Sequence, residues 1–221
     1  MQPDWVWVKQ RSGTTNHKTS DSVRGATKAL QPNDVDAEAT DSDGITSFDS
    51  NGFSLGAGGD YNGSSNTQVA WCWKESATAG FDIVSYTGNG SSGLTVSHSL
   101  SAVPSVIIIK NRSGSYSWTV YHHKNTSAPE TEAIFLNLTN ATGDDNGPFA
   151  DTAPTSSVFT VGGDNGTNGN NDAMIAYLWS EKKGFSKFGS YTGNGSSDGT
   201  FVYTGFKPAF LLIKSSSASN S

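Results

Sequence analysis

Phe81-Asp-Ile-Val-Ser-Tyr-Thr-Gly-Asn-Gly-Ser-Ser92 returns as Phe185-Ser-Lys-Phe-Gly-Ser-Tyr-Thr-Gly-Asn-Gly-Ser-Ser197, with one residue inserted near its start. Further doublings surround it. Pro104-Ser-Val-Ile-Ile-Ile-Lys110 returns as Pro208-Ala-Phe-Leu-Leu-Ile-Lys214 and is anticipated by Pro3-Asp-Trp-Val-Trp-Val-Lys9. Val69-Ala-Trp-Cys-Trp73 returns as Ile175-Ala-Tyr-Leu-Trp179, and Phe53-Ser-Leu-Gly56 as Phe159-Thr-Val-Gly162. All of these matches are about 105 residues apart, and similarity at one fixed period is how a repeat architecture shows itself. The phase of the repeat divides the chain. Residues 1–75 read as a first repeat lacking its opening strand, 80–179 as a complete β repeat, and 184–221 as the opening strands of a further repeat. A fragment of a longer array and a chain whose two ends complete each other both fit this division.

The repeated segments have the period of strands. Trp5-Val-Trp-Val8 alternates aromatic and β-branched side chains, which puts each kind on its own face. Short β-rich runs follow at Phe81–Tyr86, Leu94–Val96, Val106–Lys110, Trp118–Tyr121, Ala133–Leu138, Val158–Val161, Met174–Trp179, Phe201–Thr204 and Ala209–Lys214. Asn-Gly pairs between such runs suit hairpin corners. Only Ser22–Leu30 could form a short helix. The expected fold is all-β: tandem antiparallel β-sandwich-like repeats of about 105 residues. Trp5–Lys9, Val106–Lys110 and Phe210–Lys214 should be equivalent strands.

Composition narrows the function. Ser, Thr, Asn and Gly supply 97 of the 221 residues, and only 15% are charged, against about 25% in typical domains. The surface is therefore polar but mostly neutral. A net charge of −6 without any Lys/Arg patch argues against a nucleic-acid partner and against anionic lipid. No apolar run approaches the ~20 residues of a membrane span, so no membrane insertion is expected. The N-terminal Met-Gln-Pro-Asp-Trp carries no signal-peptide pattern. With Cys72 the sole cysteine, no intrachain disulfide can form.

Several motifs match a chemistry on paper. Gly88-Asn-Gly-Ser-Ser-Gly93 fits a dinucleotide loop, but Leu94-Thr-Val96 after it reads as strand, where that site needs a helix. Gly195-Ser-Ser-Asp-Gly199 fits a nucleophile elbow, but no histidine follows His123, and that triad needs one. His122 and His123 are adjacent on a strand and face opposite sides. None of the five glutamates stands in an apolar stretch that would raise its pKa, as a glycosidase acid requires. No enzyme activity is expected. Asn-x-Ser/Thr occurs eight times, mostly where turns are expected.

Two candidate ligand sites remain. Asp34, Asp36 and Glu38 alternate, then Asp41 and Asp43, with no Lys or Arg between them. An oxygen-rich segment of this kind suits Ca²⁺, the one cofactor the sequence suggests, although such charge runs are usually solvated acidic loops. Trp118, Tyr116 and Tyr121 stand near polar loops, the combination of flat aromatic face and polar rim used by carbohydrate sites. Core or interface packing is the more ordinary explanation of such residues.

The repeated strings carry a resemblance. Trp5-Val-Trp-Val-Lys9, Asp21-Ser-Val-Arg-Gly25, Ser47-Phe-Asp-Ser-Asn-Gly-Phe-Ser-Leu-Gly56, Val69-Ala-Trp-Cys-Trp-Lys74, Ser85-Tyr-Thr-Gly-Asn-Gly90 and Ser186–Gly199 resemble an uncharacterised β-rich repeat domain of tail-fibre-like virion proteins from marine bacteriophages. The resemblance spans nearly the whole chain and supplies no catalytic residues. It implies a non-enzymatic virion structural protein, a tail-fibre or surface-fibre module for assembly or host attachment, located on a virion or an extracellular surface. The expected partners are further copies of the chain, other virion proteins or a host-surface glycan. A lectin-like module and an extracellular filament built by β-strand exchange are the alternatives.

Overall fold

The computed structural model describes residues 1–217. Its elements in the first part are β1 (Trp5–Gln10), β2 (Lys18–Asp21), β3 (Lys28–Ala29), β4 (Ala39–Thr40), β5 (Ile45–Asp49), β6 (Gly52–Leu55), the one-turn helix α1 (Gly59–Asn62) and β7 (Gln68–Trp73). There follow β8 (Phe81–Thr87), β9 (Leu94–Ser97), β10 (Val106–Asn111), β11 (Thr119–His122), β12 (Glu132–Phe135), β13 (Gly143–Asp144), β14 (Val158–Val161), the one-turn helix α2 (Asn165–Asn168) and β15 (Ala173–Trp179). The protein is all-β and every strand pairing is antiparallel.

Two sheets dominate. One has the order β2-β1-β7, the other β13-β12-β11-β10-β15-β8. Their centres are built alike. Within the first, Val6 stands opposite Cys72 and Lys9 opposite Val69. Within the second, Ile107 stands opposite Leu178 and Lys110 opposite Ile175. Each pair maps on the other by the offsets found in the sequence. The two lysines also do the same work: Lys9 Nζ donates to the Gly13 carbonyl and Lys110 Nζ to the Gly114 carbonyl, both at 3.3 Å.

Strand alternation decides which faces meet. Trp5 and Trp7 of β1 share one buried cluster with Val106 and Ile108 of β10, Tyr177 and Ile175 of β15, Phe81 and Ile83 of β8, and Trp118. Trp71, Trp73 and Trp179 flank it. The two sheets therefore pack face to face through an aromatic layer. Trp5 is its hub, with ring centroids 4.4 Å from Trp73, 4.7 Å from Tyr177 and 5.5 Å from Trp179. On the outer face of the smaller sheet, Val6 and Val8 meet Ile45 and Tyr61, with Phe48 and Phe53 of the β5–β6 hairpin alongside. On the outer face of the larger sheet, Ile107, Ile109 and Leu178 meet Val96, Phe159 and Val161 from the β9–β14 pair.

Three expectations need correcting. Ser22–Leu30 is not helical: Asp21 Oδ1 accepts the Arg24 amide at 2.8 Å, and positive φ at Gly25 and Thr27 turns the chain into β3. Asn-Gly corners a hairpin at Asn51-Gly52, between β5 and β6, but Asn62-Gly63 and Asn168-Gly169 instead close the one-turn helices. Phe201–Thr204 and Ala209–Lys214 form no strand. Phe210–Lys214 is thus not equivalent to β1 and β10 in structure, although those two match each other. Beyond Lys182 the chain is an arm of turns and extended backbone, exposed at Phe185, Tyr191, Phe201, Tyr203, Leu211 and Ile213. Positions 218–221 of the third expected unit lie outside the described residues.

Candidate functional site

The aromatic trio expected to hold sugar does not converge. Trp118 is 1% exposed, stacks towards Tyr177 inside the aromatic layer, and donates its indole N–H to the Gln31 carbonyl at 2.9 Å. Tyr121 is buried on the opposite face of the larger sheet against Phe149. Tyr116 is half-buried, with its carbonyl held by Lys110 Nζ at 2.8 Å. The odd separation of Trp118 and Tyr121 along one extended segment already sends them to opposite faces, so they form no common platform.

The acidic segment is used internally. Glu38 receives Arg112 through both carboxylate oxygens, at 2.9 and 3.0 Å, and Arg24 at 3.1 Å. Asp34 accepts from Asn16 and Asp36 from Gln31. Asp41 lies beside the buried Tyr61, and Asp43 is exposed, with its backbone carbonyl accepting the Gly58 amide. Among the described residues no three His, Cys, Asp or Glu side chains are grouped to hold a metal ion.

What the segment does is lock the sheets together. Arg24 and Asp21 of the first part are fully buried and ion-paired, and Tyr177 of β15 donates its hydroxyl to Asp21 at 2.7 Å. Burial opposes the Arg24 charge, but Tyr177, Asp21 and Glu38 outweigh it and hold the guanidinium protonated. Lys110 Nζ donates to the Val35 carbonyl at 2.9 Å. Burial pulls its pKa down to about 8, against the pull of Asp36 and Asp34.

A second constellation escaped the sequence reading. Glu75 and Asp82 share a hydrogen bond at the mouth of a shallow groove of about 380 Å³ that His98 also lines. Burial first, then Asp82, pushes the Glu75 pKa up to about 7. Asp82 also loses water, but the Ser99 amide, Glu75 and the Ile83 amide hold it below the usual range. The expectation that no glutamate is set to titrate high is therefore wrong at Glu75. Its partner lies seven positions on, in the next strand, where no local apolar stretch signals it. His122 and His123 are half-buried. His123 Nε2 meets the Phe188 carbonyl at 3.1 Å, and burial, then His123, lowers the His122 pKa.

The largest unmatched feature is an edge. β15 is paired on both sides, by β10 and by β8 over seven positions. Among the described residues β7, its counterpart in the smaller sheet, is paired only by β1. Where Phe81 of β8 packs on Trp179 with centroids 5.0 Å apart, β7 has the single ring of Phe210 from the arm, 5.4 Å from Trp73 and 5.6 Å from Trp71. Ala70 and Cys72 on β7 are exposed, and burial raises the Cys72 pKa.

A family model described as Domain of unknown function (DUF7483) matches residues 1–221. The chain belongs to that family. No curated protein and no solved structure is similar to this DUF7483 chain. Its functional reading therefore rests on the paired sheets, the open edge and the exposed arm.

Proposed function

We propose that the chain is a non-enzymatic structural module of a virion tail fibre or surface fibre, contributing to assembly or host attachment. It is built from tandem antiparallel β-sandwich-like units of about 105 residues. The observation that carries this reading is the shared register of β1–β7 and β10–β15, joined to an arm whose sequence resembles the opening of a further unit and most of whose apolar side chains, Phe185, Tyr191, Phe201, Tyr203 and Leu211–Ile213 among them, stay in water. An apolar arm beside an open sheet edge favours a partner. The neutral Ser/Thr/Asn/Gly surface supports a role outside phosphate or lipid binding, and the resemblance of the repeated strings supports a virion location.

Light scattering after size exclusion, with negative-stain images of the same peak, tests the reading. A concentration-dependent oligomer, rod or filament is expected. A compact monomer of 23.2 kDa at every concentration would remove the assembly role.

A further inference from the structure

We propose that the outer edge of β7 is a strand acceptor, and that its occupant is Ser186–Thr192 of a second copy of this chain, bound as β8 is bound to β15. This deepens the assembly reading by naming the two segments and their register.

The acceptor is defined by equivalence. β7 and β15 lie on β1 and β10 in the same register, Cys72 opposite Val6 and Leu178 opposite Ile107. β15 carries β8 on its other side, with Leu178 opposite Asp82 and Tyr177 opposite Ile83. Among the described residues β7 carries nothing there. An antiparallel edge offers its alternate N–H and C=O groups to any chain that can extend along it.

The donor is defined by sequence. Ser85–Ser92 and Ser190–Ser197 are the same eight residues, 105 positions apart. That offset carries Asp82 to Lys187 and Ile83 to Phe188. In β8, Ile83 faces the aromatic layer and Asp82 faces away. Phe188 then points its ring at Trp71 and Trp73 of the acceptor, where Phe210 now sits, while Lys187 lies on the opposite face beside the exposed Ala70 and Cys72. In its own chain the donor forms no strand, only an isolated bridge of Ser186 to Lys182. It is held there by other contacts, which strand addition must exchange: Glu181 Oε1 accepts the Phe188 amide at 2.9 Å, Glu181 Oε2 accepts from Lys187 Nζ at 3.1 Å, His123 meets the Phe188 carbonyl, and the Phe188 ring packs at the margin of the aromatic layer. Strand addition between copies satisfies backbone groups on both sides, and the alternate side chains set its register.

The register places Lys187 directly opposite Cys72, the only cysteine of the chain. Opposed residues in an antiparallel pair lie about 4.5–5.5 Å apart, within the span of a disulfide. The test is the Lys187→Cys variant at an exposed position, oxidised with glutathione disulfide and resolved by non-reducing electrophoresis and intact mass. Ser127→Cys, exposed and far from this edge in sequence, is the control. Lys187→Cys is expected to form dimers and higher ladders about tenfold faster than the control or more, because aligned thiols raise the effective concentration, and adding Cys72→Ser is expected to abolish them. Cross-linking no faster than the control would overturn the proposal, and if the protein still assembles by light scattering, the fibre reading survives it. A cross-linked monomer would overturn the second copy as occupant, leaving the arm of the same chain in its place. Cross-linked dimers that never extend would uphold the edge pairing and count against the fibre.

Discussion

At Trp5 the chain concentrates its packing energy. Its ring is 2% exposed and lies within 6 Å of five other aromatic rings from both sheets. Trp5→Ala is expected to cost about 3–5 kcal/mol, the range for emptying a buried Trp site, and urea denaturation reads it directly. Asp21→Asn attacks the neighbouring lock. It leaves the buried Arg24 guanidinium short of its counter-charge, and breaking such a pair costs about 3–5 kcal/mol. Glu75 makes a prediction of different form. Its folded pKa of about 7 lies above the ordinary 4.5, so the folded state binds the proton more tightly. That contribution is fully present below about pH 4.5 and is lost as pH rises towards 7. Glu75→Gln should remove this fall, so the difference in melting temperature between variant and parent should grow from pH 4.5 to 7. Asp82, held low, acts with the opposite sign, and only at more acidic pH.

Single elements show what could be read from sequence and what could not. β1, β8, β10, β14 and β15 were legible because alternation or an unbroken β-branched run sets their faces without reference to distant residues. The arm was not legible, because Ala209–Lys214 has the same pattern as β10 yet pairs with no strand among the described residues, and a strand exists only through its partner. The β10–β11 hairpin had a signal that the motif search passed over: a lysine closing the β-rich run in all three copies, at Lys9, Lys110 and Lys214. In β10 its ammonium satisfies the carbonyls of Val35, Gly114 and Tyr116. Lys110→Met keeps the stem and strands those acceptors, so it should destabilise by about 1–3 kcal/mol, measured by the denaturation midpoint. The acidic segment misled for a related reason. Its counter-charge, Arg112, is 74 positions beyond Glu38, outside any local count of charge, so five carboxylates looked free when one was already shared between two guanidinium groups.

Across the whole molecule, order is uneven. Both sheets, their outer hairpins and nearly all of the aromatic layer between them come from residues before Ser180, while the arm beyond Lys182 adds Phe188 at the margin of that layer, the Phe210 ring at Trp71 and Trp73, and scattered hydrogen bonds such as that of Lys214 to the Asn140 carbonyl. Local opening is cheapest where apolar burial and backbone pairing are fewest. Brief trypsin digestion of dilute protein should therefore cut first at Lys183 and Lys187, both exposed, and leave a core that still unfolds cooperatively. Early cleavage within β1–β15 would contradict this distribution of stability. The same digestion at a concentration where copies associate separates two ways of assembling. If Ser186–Thr192 becomes a strand on β7 of a neighbour, cleavage after Lys187 should slow in step with association, because a protease needs an extended, unpaired chain, while cleavage after Lys214 is unchanged. If copies join through the apolar residues Leu211–Ile213 instead, the adjoining Lys214 is shielded and Lys187 is not. The order in which the two sites close thus reports which part of the arm carries the contact.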